Sequence, residues 1–455
     1  MNFTYIPKRL DLEVLLKENK PSFKYHIDNF KYIIGTIIRL KCRNKDYLKA
    51  EYIPLNAKIL QKKIRAYNQY LSYLIENNVI ETDNHYIPGE KSRCFKISDS
   101  LKNDGYEFTD LTKNTLTVMS NDERKEDAAF RKKYDFLRKW FDSNLQVNVE
   151  MAAWELSHLY EQDMADGLYD AADRYCIREL ALETLNKGMF YMSVDSTAGR
   201  FHSNLTNLKS ELRNYITYDG QQLCSVDVKN SQPFISMLLF NPDFYSENGT
   251  GLTLKKLRPE IFKSLSSVIP SILSIISSLS FIMLVKSDET QCGSDLERFC
   301  TLVDKGRLYQ YISTQYFEET GILYTPDTPD GKRMLKSAVF TTLFSDNRFI
   351  GQKEADMKRC FRDLFPTVYK IYSLIKRHDN GFLAIILQSI EAEVVINRVA
   401  RTFAKENKEV PIYTIHDSIV TLSEYKERVK DLMKVEFENA IGFRPNLSFE
   451  EWNGE

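Results

Sequence analysis

The sequence predicts an α+β protein built from several units, and three observations carry that expectation. A chain of 455 residues is longer than one simple hydrophobic core organises, so two to four units are expected. Residues 25–79 and 123–190 are dominated by apolar positions at helical spacing, whereas from residue 191 onward β-prone and helical pieces alternate. Hydrophobic residues at 43% supply enough material for packed cores, and charged residues at 27% are an ordinary share for a globular surface. The net charge of −1 neither requires nor excludes a nucleic-acid partner, because phosphate binding needs a local basic face rather than a basic whole.

Taken in chain order, segment 25–42 reads as one helix and segment 57–79 as a second, amphipathic one. The second repeats Ile59, Leu60, Ile64, Tyr67, Leu71, Leu74 and Ile75 on one face and carries Lys58, Lys62, Lys63 and Arg65 on the other. Two β-prone pieces follow, Val79–Thr82 and Cys94–Ser98, separated by the turn Pro88-Gly89 and the charged tip Glu90-Lys91-Ser92-Arg93. Helices followed by a basic-tipped hairpin resemble a winged helix-turn-helix, here over residues 1–110. That resemblance implies duplex DNA as a partner, with Lys62, Lys63, Arg65, Lys91 and Arg93 as the contacting cations. A solvated basic face and a protein-docking module stay open beside it. Residues 99–122 are polar and read as a linker. Residues 123–190 lack proline and are rich in Lys, Arg, Glu, Ala and Leu, as a helical region is.

The seven cysteines form no CxxC pair and no zinc-like cluster, and the N-terminus lacks the basic-then-apolar layout of a signal peptide. A cytoplasmic protein with reduced thiols is expected. Residues 265–285 are long enough to span a bilayer, yet they hold seven serines and Pro270. A helix pair broken near Pro270 is the expectation, with no membrane partner.

Three segments carry chemistry. In Gln222–Pro233 an apolar β-prone run delivers Asp227 at its end, then a polar turn leads into an apolar helix, Phe234 to Phe240. In Pro411–Leu422 the polar triplet His416-Asp417-Ser418 interrupts an apolar run, as a hairpin turn does. Alone, each aspartate reads as a turn residue. Together, two strand-borne carboxylates suit a pair of divalent ions for an in-line displacement at phosphorus. In the third segment Lys332, Lys336, Phe340 and Phe344 step by four along one helix face. Two cations suit a triphosphate and two rings suit a nucleobase and sugar.

These segments, in this order, resemble the palm and fingers of family A DNA polymerases and the related single-subunit RNA polymerases. Two further stretches match: Thr197-Ala198-Gly199-Arg200 with Asn204–Leu208, and Gln388-Ser389-Ile390-Glu391-Ala392-Glu393. Five ordered matches span residues 195–422. The resemblance implies a right-hand fold with thumb-like helices over 111–190, palm over 191–240 and 377–455, and fingers with an insertion over 241–376. It implies template-directed nucleotidyl transfer with primer–template nucleic acid and nucleoside triphosphates as partners. Asp227 and Asp417 would bind two Mg²⁺ ions, or Mn²⁺ in their place. Lys336, Lys332 and Arg333 would hold the triphosphate, and Phe340 and Phe344 would pack the nucleotide. Arg200, Gln388 and His416 would grip the primer terminus and minor groove. No segment matches a proofreading exonuclease, so synthesis without proofreading is expected.

The sequence also departs from the family. The DNA polymerases carry a glutamate that excludes a ribose 2′-hydroxyl where this chain has Gln232, whose amide can block the hydroxyl or bond to it. Phe344 stands where the RNA polymerases have tyrosine, and Ser345 replaces a glycine. Phe340 occupies a position aromatic in the DNA polymerases, which tilts the expectation toward DNA-directed DNA synthesis, as in mobile-element, plasmid or phage replication. The rivals are a ribonucleotide-using polymerase or primase, template-independent terminal transfer, and a winged-helix regulator or initiator with a vestigial palm.

Overall fold

The structure, a computed structural model, describes residues 3–43, 47, 50–84, 92–102, 105–112, 121–168, 170–249, 251–277, 284–352 and 355–453. The chain divides into two units. One comprises Met1–Met192, Ser203–Gln221 and Trp452–Glu455; the other comprises Ser193–His202 and Gln222–Glu451.

The first unit begins with β1 (Phe3–Pro7), α1 (Leu12–Glu18), α2 (Ile27–Arg43), β2 (Ile53–Pro54), α3 (Ala57–Lys63) and α4 (Tyr67–Glu76). It continues through β3 (Ile80–Thr82), β4 (Cys94–Ile97) and β5 (Tyr106–Asp110). Phe30, Ile33, Ile34 and Ile37 repeat at the spacing of one helix face, so α2 buries that face as the centre of the core. Tyr70, Leu71 and Leu74 of α4 are buried in the same cluster, and the Phe30 and Tyr70 rings meet edge-on at 4.7 Å. Gly35 is required where α2 meets β1, because a Cβ there would lie 1.7 Å from Thr4 Oγ1. The strands β2, β4 and β3 form a three-stranded antiparallel sheet in that order, with Ile80 opposite Ile97 and Ile53 opposite Phe95.

Two expectations need correction here. The single helix over 57–79 is broken at Ile64, whose backbone is extended (φ −131°, ψ 105°). Leu60 and Ile64 are buried while Ile59 is 55% exposed, so apolar spacing ran on smoothly across a turn that tertiary packing imposes. The linker over 99–122 contains β5, which pairs antiparallel with β1 from Phe3↔Asp110 to Pro7↔Tyr106. Its alternating Tyr106 and Phe108 were the signal, outweighed by the polar residues around them. The turn Pro88-Gly89 and the tip residues Glu90 and Lys91 lie outside the described residues. Further on come α5 (Asn121–Lys133), β6 (Leu145–Val147), α6 (Val149–Ala165) and α7 (Ala171–Asn186), so residues 123–190 are mainly helical. β6 pairs with Ile216–Tyr218.

The second unit holds the hairpin β7 (Met192–Val194) and β8 (Phe201–Ser203), then β9 (Gln221–Val228) and α8 (Ser231–Ser236). Short helices Leu254–Leu257, Pro259–Ser264 and Ile269–Ile276 precede α9 (Asp295–Asp304), α10 (Leu308–Thr320) and α11 (Pro329–Phe344). Pro270 lies in the first turn of Ile269–Ile276, where its missing N–H is harmless. Among the described residues no helix is long and apolar enough to cross a membrane. α12 (Asp356–Leu364), α13 (Pro366–Ile375) and α14 (Gly381–Ala392) follow; α14 runs on as a π-helical segment, Glu393–Ala400, and a last turn pair, Arg401–Glu406. β10 (Ile412–Ile415), β11 (Ser418–Leu422), α15 (Lys426–Ile441) and β12 (Leu447–Glu451) close the unit. Its antiparallel sheet runs β10-β11-β9-β12, with β9 paired on both edges.

A candidate active site around Asp227 and Asp417

β9 is buried on both faces from Leu223 to Val228, except at Asp227, which is only half-buried. The strand thus spends its apolar residues on packing and brings one carboxylate to the open end. Ile415 pairs with Ser418, which leaves His416-Asp417 as a two-residue turn between β10 and β11. His416 has φ +56°, a positive value at the first turn position of the kind glycine usually supplies. The register sets Ser418 directly opposite Asp227, so Asp417 arrives at the same end of the sheet. Ser418 Oγ donates to one Asp227 oxygen and Ser225 Oγ to the other, the latter at 2.9 Å.

Burial, and after it the charge of Asp227, push the Asp417 carboxyl above its ordinary value; Ser231 and Arg200 act against them. Two carboxylates that repel each other in a partly desolvated place are a donor set suited to a hard divalent cation. No group of three His, Cys, Asp or Glu residues able to hold a metal occurs among the described residues. Two carboxylates nonetheless fit Mg²⁺, which keeps water and phosphate oxygens in its remaining positions.

α11 begins at Thr328, whose hydroxyl accepts from Gly331 N–H at 3.2 Å, with Pro329 in the first turn. A Cβ on Gly331 would sit 2.0 Å from Thr325 O, so the close approach before the helix demands glycine. Leu335, Ala338, Val339, Thr342 and Leu343 are buried, which leaves Lys332, Lys336 and Phe340 on the exposed face and Phe344 half-buried at its end. Phe340 is 40% exposed, with its ring 5.6 Å from that of Phe344. Burial and then Lys332 lower the Lys336 ammonium pKa, while Asp417 opposes them, so this lysine lies within the field of Asp417. Arg333 forms a surface pair with Asp330 at 2.9 Å, an arrangement that contributes little.

Arg200 leaves a tight loop in which Asp195 accepts from the backbone N–H of Ala198 at 2.5 Å and of Arg200 at 2.8 Å. Gly199 supplies the positive φ of +80° that the loop needs. From there Arg200 reaches Glu391 with two bonds of 2.8 Å, and Glu391 also accepts from Gln232 Nε2 at 2.7 Å. Glu391 is 1% exposed; burial pushes its carboxyl up to about 7, with Arg200 opposing and Asp417 adding to the rise. Gln388, three residues earlier on α14, is half-buried.

Of the predicted residues, Arg200 and Gln232 are joined by hydrogen bonds through Glu391, Asp227 and Asp417 meet at the β10–β11 turn, and the Asp417 charge is felt by Glu391 and Lys336. Sequence reasoning quoted Glu391 without giving it a role, and with Glu393 two residues on nothing local set it apart. It also missed His202, whose ring lies 6.3 Å from that of His416 and whose Nε2 is 3.5 Å from Asp195. In the first unit Lys62 and Arg65 are exposed, Lys63 is half-buried, and the Arg93 guanidinium lies 5.3 Å over the Phe95 ring.

No family model matches the chain, and no curated protein does. Among solved structures, the POL domain of Pol1 from M. smegmatis, in complex with DNA primer-template and dNTP, aligns at 11% identity and a TM-score of 0.39. The alignment covers 66% of this chain, which spans 55% of the length of that one. So low a score leaves the weight on this chain's own residues.

Proposed function

We propose that the chain is a nucleic-acid polymerase that carries out template-directed nucleotidyl transfer, with DNA-directed DNA synthesis as its principal activity. The observation that carries the reading is the register of β9 and β11, which brings Asp227 and Asp417 to the same end of one sheet, with Lys336 of α11 in the field of Asp417. In this reading Asp227 and Asp417 hold two Mg²⁺ ions, which when bound activate the primer 3′-hydroxyl and neutralise the leaving pyrophosphate. Lys336 and Lys332, with Arg333 one position on, bind the triphosphate. Phe340 and Phe344 pack the incoming base and sugar against α11, and Gln232 faces the sugar. Gln388 and His416 contact the primer terminus, with Arg200 held beside them by Glu391. Positioning and electrostatics supply most of the rate in such chemistry.

We propose also that the first unit binds duplex DNA. The order helix, strand, helix, helix, strand, strand from α2 to β4, with its β2-β4-β3 sheet and exposed Lys62 and Arg65, supports a winged-helix reading. Primer extension on a primed DNA template with Mg²⁺ and the four dNTPs tests the main reading. Magnesium-dependent, template-dictated extension is expected. Duplex binding without any extension would favour a DNA-binding regulator instead, and extension without a template would favour terminal transfer.

A further inference from the structure

We propose that Glu391 sets the sugar choice of the site by fixing the amide of Gln232 so that its carbonyl oxygen meets the sugar, and that ribonucleotides are accepted alongside deoxyribonucleotides. The inference rests on the polymerase reading above, in which Gln232 lies against the incoming sugar.

The hydrogen bonds dictate which way the amide points. Arg200 Nε donates to Glu391 Oε1 and Arg200 Nη2 to Oε2, each at 2.8 Å, and Gln232 Nε2 donates to Oε2 at 2.7 Å. With both oxygens of Glu391 accepting from Arg200, Gln232 turns its NH₂ toward Oε2. The trigonal amide then directs Oε1 away from Glu391. That oxygen is buried and has no hydrogen-bond partner in the protein, on a side chain whose residue is only 8% exposed. A buried acceptor without a partner is costly, and a donor that arrives with the substrate recovers the loss. A ribose 2′-hydroxyl is such a donor; a deoxyribose has none at that carbon.

The same contacts explain why an amide and not an acid stands at 232. A glutamate there would set a second carboxylate within hydrogen-bonding distance of buried Glu391, with Asp417 already raising the cost of negative charge. Glu391 and Gln232 are thus a matched pair, with Arg200 anchoring Glu391.

The test uses the full chain on a DNA primer–template with Mg²⁺, comparing kcat/KM for ATP and dATP opposite the same template base. The two values are expected to lie within about tenfold in the unaltered protein. Gln232→Ala and Glu391→Gln should each lower the ATP-to-dATP ratio by about tenfold, a shift that a merely structural role would not produce because both substrates would suffer alike. Thermal unfolding checks each variant, and Glu391→Asp replaces Glu391→Gln if the latter does not fold. A ratio that rises in Gln232→Ala means the side chain works by bulk and overturns the proposal, as does rejection of ATP by more than about a thousandfold. A ratio unmoved by the Glu391 variant removes Glu391 from it. Failure to use either nucleotide defeats the polymerase reading itself, which is a distinct result.

Discussion

Around the β10–β11 turn the acids are already engaged: both oxygens of Asp227 accept serine hydroxyls and both oxygens of Glu391 accept Arg200. Along α11 the opposite holds, with Lys332, Lys336 and Phe340 on the exposed face of the helix. The difference follows from cost. Gathering carboxylates in a desolvated pocket is unfavourable, so the fold must hold them there with donors and packing before any ligand arrives. Cations and rings on an exposed helix face cost less to keep open, even where burial lowers the Lys336 ammonium pKa, so they can wait for a triphosphate and a base.

Four changes would break or sharpen that contrast. Asp227→Asn and Asp417→Asn should each reduce primer extension by a thousandfold or more, on the order of what loss of a metal-holding group costs. Because Asn removes a repelling charge at similar volume, the thermal midpoint of Asp417→Asn should stay level or rise; extension at the parental rate in either variant would remove the pair from the site. Lys336→Ala should lower kcat/KM for the nucleotide by about a hundredfold, read by single-nucleotide incorporation. Its stability should move by less than about 0.5 kcal/mol, since nothing in the core leans on it. Phe340→Ala should raise the nucleotide KM by about tenfold, as loss of one stacking ring does.

The smallest effect concerns the far end of α11, where Lys376 Nζ donates to Thr342 O at 2.5 Å and Ser345 O at 3.0 Å. Lys358, 1% exposed, donates to Ser345 Oγ at 2.9 Å beside it. Burial, then Lys358, push the Lys376 ammonium down to about 7 from an ordinary 10.5, with Asp346 opposing. Between those values the unfolded chain binds a proton that the folded chain does not, so stability rises with pH across that window. Below about pH 7 the folded protein must carry the buried charge and that gain is gone. Denaturation midpoints measured from pH 7 to 9 should therefore climb, and climb less in Lys376→Met.

Much of the site was legible before folding because its parts lie on strong local patterns. The four-residue steps from Lys332 to Phe344 place those side chains on one face of any helix, and α11 realises them. Asp227 at the end of an apolar run and Asp417 in a polar break are equally local features. Glu391 was not legible, because what matters about it is its contact with Arg200, 191 residues away, and with Gln232, 159 away. The turn at Ile64 and the pairing of β1 with β5 escaped for the same reason: periodicity records which residues are apolar, not where the chain bends to bury them.

By itself the sequence determined which chemistry is on offer: one aspartate at a strand end and one in a turn, a helix face of lysines and phenylalanines, and an amide at Gln232. Only the tertiary structure decided how these groups constrain one another. Register across β9 and β11 brings Asp227 to Ser418 and so to Asp417, and a buried carboxylate orients the amide of Gln232. Hydrogen-bond direction and desolvation depend on neighbours distant in the chain, and no local pattern of residues encodes them.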